Sequence, residues 1–150
     1  MSRYSKTTTV FNDEECLVNA LVDIGYKREQ IEVHKTPQQL FDYCGRATHY
    51  MDAKGDTANV IIRSRNIGYG SANDLGFKLE ENGTYSVAIS AYDRGTHHWG
   101  PQSTRFKALK AAHAEQRGIK TAKKNGFRFL GREIVNGKVQ LKFVDPRVTR

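Results

Sequence analysis

The chain has little of what stabilises small secreted proteins or holds proteins in membranes. It contains only two cysteines, Cys16 and Cys44, among 150 residues, which is too few for a disulfide scaffold or a four-cysteine zinc site. No stretch approaches the roughly 20 apolar residues of a membrane span, and no apolar run follows Met1–Lys6 as it would in a secretory signal. We therefore expect a cytoplasmic protein with reduced thiols and no membrane partner.

The sequence also lacks a catalytic motif. No Gly-Lys-Ser/Thr follows Gly68 and Gly70, and no Gly-x-Gly-x-x-Gly opens a helix there, which excludes the two common phosphate-binding loops. The adjacent His97 and His98 would point in different directions on an extended chain, so we predict no zinc site. Cys44, which lies near Arg46 and His49, is interpreted as a buried strand residue. We expect a binding protein rather than an enzyme, with no cofactor and no metal ion.

The charge, in contrast, is strongly uneven along the chain. Residues 101–150 hold 13 basic and 3 acidic residues, a net charge of +10, whereas residues 1–100 hold 11 and 13, a net charge of −2. Such asymmetry indicates one surface that meets a polyanion. The alternative is that the excess charge only keeps a small basic protein soluble.

The first half of the chain contains one clear helix among strand-like segments. Thr, Val and aromatic residues predict a strand at Tyr4–Phe11. Asn12 is the predicted N-cap of a helix that ends at Gly25. Further segments are predicted as the strands Ile31–His34, Leu40–Arg46 and Thr57–Arg65 and the flexible loop Arg65–Asn73.

The first of two predicted hairpins follows this loop. Its alternating apolar residues pair Leu79 with Tyr85 and Phe77 with Val87 only if the loop has three residues, with Gly83 in the left-handed conformation.

A long helix and a second hairpin complete the chain. Apolar residues at helical spacing predict a helix over Thr104–Lys124. In the second hairpin, the Asn136-Gly137 turn pairs Ile134 with Val139 and Leu130 with Phe143. We therefore predict a single α+β domain over residues 1–150, in the order β-α-β-β-β-β-β-α-β-β, with an antiparallel sheet of five to seven strands and two helices on one face.

The second helix carries a basic stripe beside its apolar one. Spacings of three or four residues place Lys110, His113, Arg117, Lys120 and Lys124 on one side, and Lys107, Lys123 and Arg128 flank them. Like charges in a row lower the stability of a helix. A row that is present despite this cost favours a function in contacting phosphates. The alternative is an ordinary solvated helix face.

Two loops could contribute further contacts. Tyr92–Gly100 holds Arg94 and the only tryptophan, Trp99, which could stack on a base or could simply cap the core. The Arg63–Gly70 segment, with Arg65, combines arginine, tyrosine and glycine as loops that wrap a single strand do, although a plain connection between strands explains it equally well.

Several motifs resemble a known family. They are Leu21–Tyr26 at the end of the first helix, Asp74–Phe77 with the turn Asn82–Tyr85, and Asn125–Phe127 at the exit of the second helix. With the rest of the chain they resemble domain of unknown function 1257, which has members in cyanobacteria, plastids, other bacteria and bacteriophages. The resemblance implies the α+β fold and no catalytic residues. The chain departs from it in longer, more polar segments at 65–73 and 94–103 and in a more basic last helix.

Three functions follow as hypotheses. The first is a non-enzymatic protein whose basic second helix contacts RNA or DNA phosphates. The second is a phage-type accessory protein that docks on an acidic host protein in the host cytoplasm. The third is a protein that binds or sequesters a small nucleotide, which requires His49, His97 and His98 to share a pocket. The sequence leaves the partner and the oligomeric state open.

Overall fold

A computed structural model describes residues 3–67, 72–96 and 103–148. In chain order, the elements are the strand β1 (Tyr4–Thr8), the helix α1 (Glu14–Asp23), the strands β2 (Ile31–Gln39), β3 (Thr57–Ile62), β4 (Leu75–Leu79) and β5 (Tyr85–Ser90), the helices α2 (Ala91–Thr96) and α3 (Thr104–Lys124), and the strands β6 (Arg128–Val135) and β7 (Lys138–Val144). The α+β class is confirmed. In the described ranges, the order differs from the prediction by one strand fewer before α3 and by the short helix α2.

The first five strands form one antiparallel sheet in the order β1-β5-β4-β3-β2. Val60, Phe77 and Val87 belong to a large buried cluster that includes the apolar residues of α1 and α3. The alternate residues Ile61 and Ala88 belong to a smaller cluster with Leu40, Tyr50 and Met51. The helices therefore cover one face of the sheet, as predicted, and the segment between β2 and β3 covers the other.

The first hairpin forms with the predicted register. Leu79 pairs with Tyr85 and Phe77 with Val87, and Gly83 has a φ of +84°. Glycine reaches this left-handed region without the steric cost that a Cβ would add. The alternation of apolar residues was therefore sufficient to fix the length of the loop.

The helix α1 begins one residue later than predicted. Asp13, not Asn12, is the N-cap, and its Oδ1 accepts a hydrogen bond of 2.9 Å from the Cys16 amide. Both residue types cap helices well, but the carboxylate adds a charge that complements the positive end of the helix dipole.

The predicted strand Leu40–Arg46 is wrong. The Asp42 carboxylate accepts hydrogen bonds from the amides of Cys44 and Arg46, both at 2.9 Å, and Gly45 has a φ of +79°. These features make a tight turn, of which only the bridge between Phe41 and Ala47 is strand-like. Cys44 is exposed in this turn rather than buried in a strand.

The last two strands form a hairpin of their own. They make a separate two-stranded sheet, and in the described residues the main sheet has five strands, within the predicted five to seven. Ile134 pairs with Val139 as predicted, but Phe143 pairs with Phe129 because a bulge leaves Leu130 as an extra residue. The predicted pairing of Leu130 with Phe143 is therefore wrong, and Leu130 is 57% exposed.

No helix in the described part of the chain is both long and apolar enough to cross a membrane.

Candidate nucleic-acid interface

The helix α3 docks on the main sheet and on α1 through the side that carries its buried residues. Ser103 caps its N-terminus by accepting a hydrogen bond from the Phe106 amide. The buried residues are Phe106, Leu109, Ala112 and His113, which fall within two turns. The remaining sides of the helix are free to carry the basic residues.

His113 does not belong to the exposed basic stripe. It is 3% exposed, and its ring centroid lies 5.0 Å from that of Phe11. Its Nε2 is buried without a hydrogen-bond partner in the described part of the chain, and burial lowers the pKa of the imidazole. The prediction that His113 contacts phosphate is therefore corrected: it is four residues from Leu109 and lies on the docking side as a neutral side chain.

Two other members of the stripe are already paired with the helix α1. The Lys120 ammonium lies 2.8 Å from Asp13 Oδ2 and 3.8 Å from Glu15 Oε1, and the Arg117 guanidinium lies 3.6 Å from the same Asp13 oxygen. Burial alone would raise the pKa of Asp13, but the hydrogen bonds from Lys120 and Cys16 outweigh it and lower the pKa to about 2. These two cations join the helices together, and only part of their charge is left for an external anion.

The other predicted cations of this region are exposed. None of them makes an ion pair within residues 3–67, 72–96 and 103–148. These cations are Lys107, Lys110, Lys123, Lys124 and Arg128. Lys110, Arg117 and Lys124 follow one another at intervals of two helical turns, or about 10.5 Å along the axis. They therefore form a row along one side of α3.

One further exposed cation was not among the predicted residues. Lys138 begins β7 and has no ion pair within the described residues, whereas Lys142 on the same strand lies 3.0 Å from Glu133. Both alternate with the apolar residues of β7. That period of two was the signal that could have placed them on the outer face of the hairpin.

Arg63 is part of the fold rather than a free ligand. Its guanidinium donates to both carboxylate oxygens of Glu32, to Asp74 Oδ2 at 2.7 Å and to the Gln39 carbonyl, and it lies over the Phe41 ring. All of these partners come from distant parts of the chain. The prediction that Arg63 contacts nucleic acid is corrected, because four of its five N–H donors are occupied and its charge is paired with Glu32 and Asp74.

Arg94 is held in a similar way. One of its terminal nitrogens donates to Ser5 Oγ at 2.8 Å and to Thr7 Oγ1 at 3.2 Å, so that α2 is linked to β1. Arg65 is exposed in the short turn Ser64–Asn66. Among the cations predicted in the first hundred residues, Arg65 is exposed, and Arg94 is half-buried and bonded to hydroxyls with no ion pair in the described residues.

Several predicted contacts lie outside the described residues. Trp99, His97 and His98 are among them, as are residues 68–71 of the glycine-containing loop. His49 is exposed and lines a cavity of about 250 Å³ with the Asp42–Arg46 turn. The hypothesis of a pocket shared by His49 and His97 therefore stays a prediction.

In the described ranges, Cys16 is unreactive and no metal-binding group is formed. Burial, together with the neighbouring Asp13, raises the pKa of the Cys16 thiol to about 11, so this thiol is protonated at neutral pH and is not a nucleophile. Within those ranges, no three His, Cys, Asp or Glu side chains are grouped so that they could hold a metal ion.

An open groove separates α3 from the hairpin β6–β7. Its volume is about 480 Å³, and it is lined by Arg117, Gly118, Thr121, Ala122, Asn125, Phe127 and Phe143. The hairpin approaches the helix at Gly118, where an added Cβ would stand 3.5 Å from Leu141 Cδ1. An ion pair of 2.8 Å between Arg132 and Glu115 holds the two elements together. The groove is thus bounded by a helix side of small residues and by two phenyl rings.

Comparison of the chain with protein-family models, with curated proteins and with solved structures finds no match to any of them. The resemblance to domain of unknown function 1257 therefore stays an expectation from the sequence motifs, and the candidate site depends on its own geometry.

Proposed function

We propose that this chain is a non-enzymatic nucleic-acid-binding protein that contacts phosphates through the exposed cations of α3 and of the hairpin β6–β7. The observation that carries the proposal is that Lys107, Lys110, Lys123, Lys124 and Arg128 are exposed and lack an ion pair among the described residues. All lie on two consecutive elements. Phosphate neutralisation by such lysines and arginines supplies most of the affinity in sequence-independent nucleic-acid binding.

The acidic residues of the same region do not cancel this charge. Glu115, Glu133 and Asp145 each lie within 3.0 Å of a basic side chain of their own region, namely Arg132, Lys142 and Arg147. Residues 101–150 contain 13 basic and 3 acidic residues. The net positive charge therefore comes from cations that have no acidic partner in this region among the described residues. A long-range field of this kind also raises the rate of association with a polyanion.

A purely structural role accounts for only some of these cations. Lys123 and Lys124 lie in the last turn of α3, where positive charge complements the helix dipole. Lys107 and Lys110 lie in its first two turns, where positive charge opposes the dipole and has no such benefit. These two lysines are therefore the more informative positions for an experiment.

The test is the affinity for nucleic acid as a function of salt. The triple variant Lys107→Gln, Lys110→Gln and Lys124→Gln removes three exposed cations without breaking the Asp13 pairs. We expect weaker binding, and a slope of log K against log[salt] that becomes shallower by about one unit for each phosphate that is no longer neutralised.

A matched control removes three exposed lysines from the first half of the chain, by Lys27→Gln, Lys35→Gln and Lys54→Gln. The change in net charge is the same, so any difference between the variants reports position. If both triple variants lose the same affinity and slope, binding follows net charge alone and the proposed surface is wrong. If the unmodified protein shows no salt-dependent binding at about 50 mM salt, the function itself is wrong.

One observation favours a second candidate, docking on an acidic protein. The hairpin exposes Ile134 at 74%, Leu130 at 57% and Val139 at 54%, and grouped exposed apolar residues are typical of protein interfaces. A partner that is captured from nuclease-treated lysate, and is lost when Ile134 and Val139 are changed to Thr, would favour this candidate. Capture that disappears on nuclease treatment would favour nucleic acid.

A further inference from the structure

We infer that the groove between α3 and the hairpin β6–β7 seats bases of single-stranded nucleic acid while the surrounding cations hold its phosphates. This inference rests on the proposed function, and it names the form of nucleic acid that the protein prefers. It depends on the lining of the groove and on the position of the groove within the charged surface.

The lining has the composition of a base-stacking site. The rings of Phe127 and Phe143 line the groove together with the small residues Gly118 and Ala122. A flat ring can approach the helix closely at these two small residues. The polar part of the lining is supplied by Arg117, Thr121 and Asn125. The volume of about 480 Å³ falls in the range of sites that enclose small organic groups. Stacking on aromatic side chains is how proteins bind unpaired bases with little sequence preference.

Two aromatic contacts keep these two rings in place. The Phe143 ring packs on Phe129 with a centroid distance of 5.4 Å. The Arg147 guanidinium lies 5.8 Å from the Phe127 centroid, and this arginine is itself fixed by Asp145 and by the Asn125 carbonyl. Phe127 nevertheless remains 38% exposed, so part of the residue stays accessible beside Arg147.

Charge complementarity selects an anionic occupant. Arg117 lines the groove itself, and its side chain is 41% exposed. Lys124 and Arg128 are the chain neighbours of the lining residues Asn125 and Phe127, and both are exposed. A single strand presents phosphates and flat apolar bases side by side, which matches a groove lined by two phenyl rings and one arginine on a basic part of the chain. In a duplex the bases are stacked and paired, so they could not enter.

One polar group in the groove is suited to a base edge. The Asn125 side-chain amide makes no hydrogen bond within the described residues, although the Asn125 backbone caps α3. An amide offers both donors and an acceptor. It can therefore bond to the exposed edge of an unpaired base.

The experiment compares three probes of about 12 nucleotides: a mixed single strand, the same strand without bases, and the corresponding duplex. The abasic strand keeps the phosphates and removes only what the groove would hold. We expect the normal strand to bind more tightly than the abasic strand, by about 5- to 150-fold for one stacked base. We expect Phe127→Ala to abolish most of this difference and to leave abasic binding unchanged.

A second variant tests base binding in the groove independently if Phe127→Ala destabilises the hairpin. Gly118→Leu fills the groove from the helix side, and leucine is a better helix former than glycine. An added Cβ at Gly118 meets only Leu141, at an ordinary contact distance of 3.5 Å. This variant should lose the base-dependent part of the affinity while thermal unfolding stays cooperative. Tyr43→Ala, which removes an aromatic ring that is 56% exposed in another part of the chain, is the matched control and should change nothing.

The outcomes separate the inference from the proposed function. If normal, abasic and duplex probes bind equally well with a steep salt dependence, phosphate binding stands and base seating is wrong. If none of the probes binds, both are wrong. Amide signals of Gly118, Thr121 and Asn125 that shift with an acidic leucine-containing peptide but not with the single strand would also overturn the inference, in favour of a protein occupant.

Discussion

Replacing Arg63 by methionine should destabilise the whole fold. Arg63 joins Glu32 of β2, Asp74 beside β4 and the Gln39 carbonyl through four hydrogen bonds. Its side chain is 16% exposed, and that of Asp74 is 2% exposed. Methionine keeps the aliphatic length but leaves a buried carboxylate without its cation.

The expected loss in the free energy of unfolding is about 3 kcal/mol. Removing one partner of a buried ion pair costs roughly 3–5 kcal/mol. The lower end applies here for two reasons. The Glu32 side chain is 30% exposed, and Asp74 retains hydrogen bonds from the amides of Phe41 and Ser64. A domain of this size is stable by only about 5–15 kcal/mol, so the loss is a large fraction of the total.

Urea unfolding followed by circular dichroism measures this loss. With a slope of about 1.5 kcal/mol per M of urea, the midpoint should fall by about 2 M. The matched control is Arg46→Met, because Arg46 lies 3.6 Å from Asp42 with its side chain 64% exposed. Exposed pairs of this kind contribute little, so its midpoint should not move measurably. Equal, small shifts for both variants would refute the assignment of Arg63 to the fold and would make it a candidate ligand contact again.

Three further predictions address titration, the helix pair and the thiols. Because burial lowers the pKa of His113, the unfolded chain binds more protons than the folded chain at acid pH, and the free energy of unfolding should fall as the pH drops below about 6.5. This pH dependence should be absent in His113→Leu. An unchanged pH dependence in that variant, measured by urea unfolding, would contradict the prediction. Asp13→Asn keeps an N-cap but removes the carboxylate that pairs with Lys120 and Arg117, so nucleic-acid binding should tighten and its salt dependence should become steeper. Weaker binding would count against these two cations as phosphate ligands. Cys44 is exposed and Cys16 is buried, so a thiol reagent should modify one cysteine in the native protein and both cysteines in urea. Modification of both cysteines in the native protein would show that α1 opens.

Periodicity and turn chemistry predicted the regular elements well. The helix α3 spans Thr104–Lys124 as expected, and the hairpin register at Phe77 and Leu79 follows directly from the alternation of apolar residues. Both are local properties, because a helix side and a two-residue repeat can be read from neighbouring positions. The turn at Asp42 was missed because its side-chain hydrogen bonds compete with a strand that apolar spacing alone favours.

The candidate site was predicted less well because its charges have long-range partners. Spacing put His113 and Lys120 in the same stripe, but Phe11 covers one and Asp13 neutralises the other. Both partners lie about a hundred positions earlier in the chain, and helical spacing carries no information about them. The groove was not predicted, since it requires Phe143 to lie beside α3, in a hairpin whose bulge at Leu130 is marked in the sequence only by the neighbouring Gly131.

The position of β1 in the sheet has a consequence for how the chain assembles during synthesis. Each of the strands β2, β3 and β4 pairs with the next strand along the chain, whereas in the described residues β1 pairs with the distant β5. Pairing between consecutive strands closes short loops and costs less entropy than joining distant ones. Among these five strands, β1 is synthesised first but is expected to pair last, because Tyr4 has no strand partner until Ser90 has emerged. In pulse-labelled amide exchange, β4 should gain protection before β1, and simultaneous protection would contradict this order.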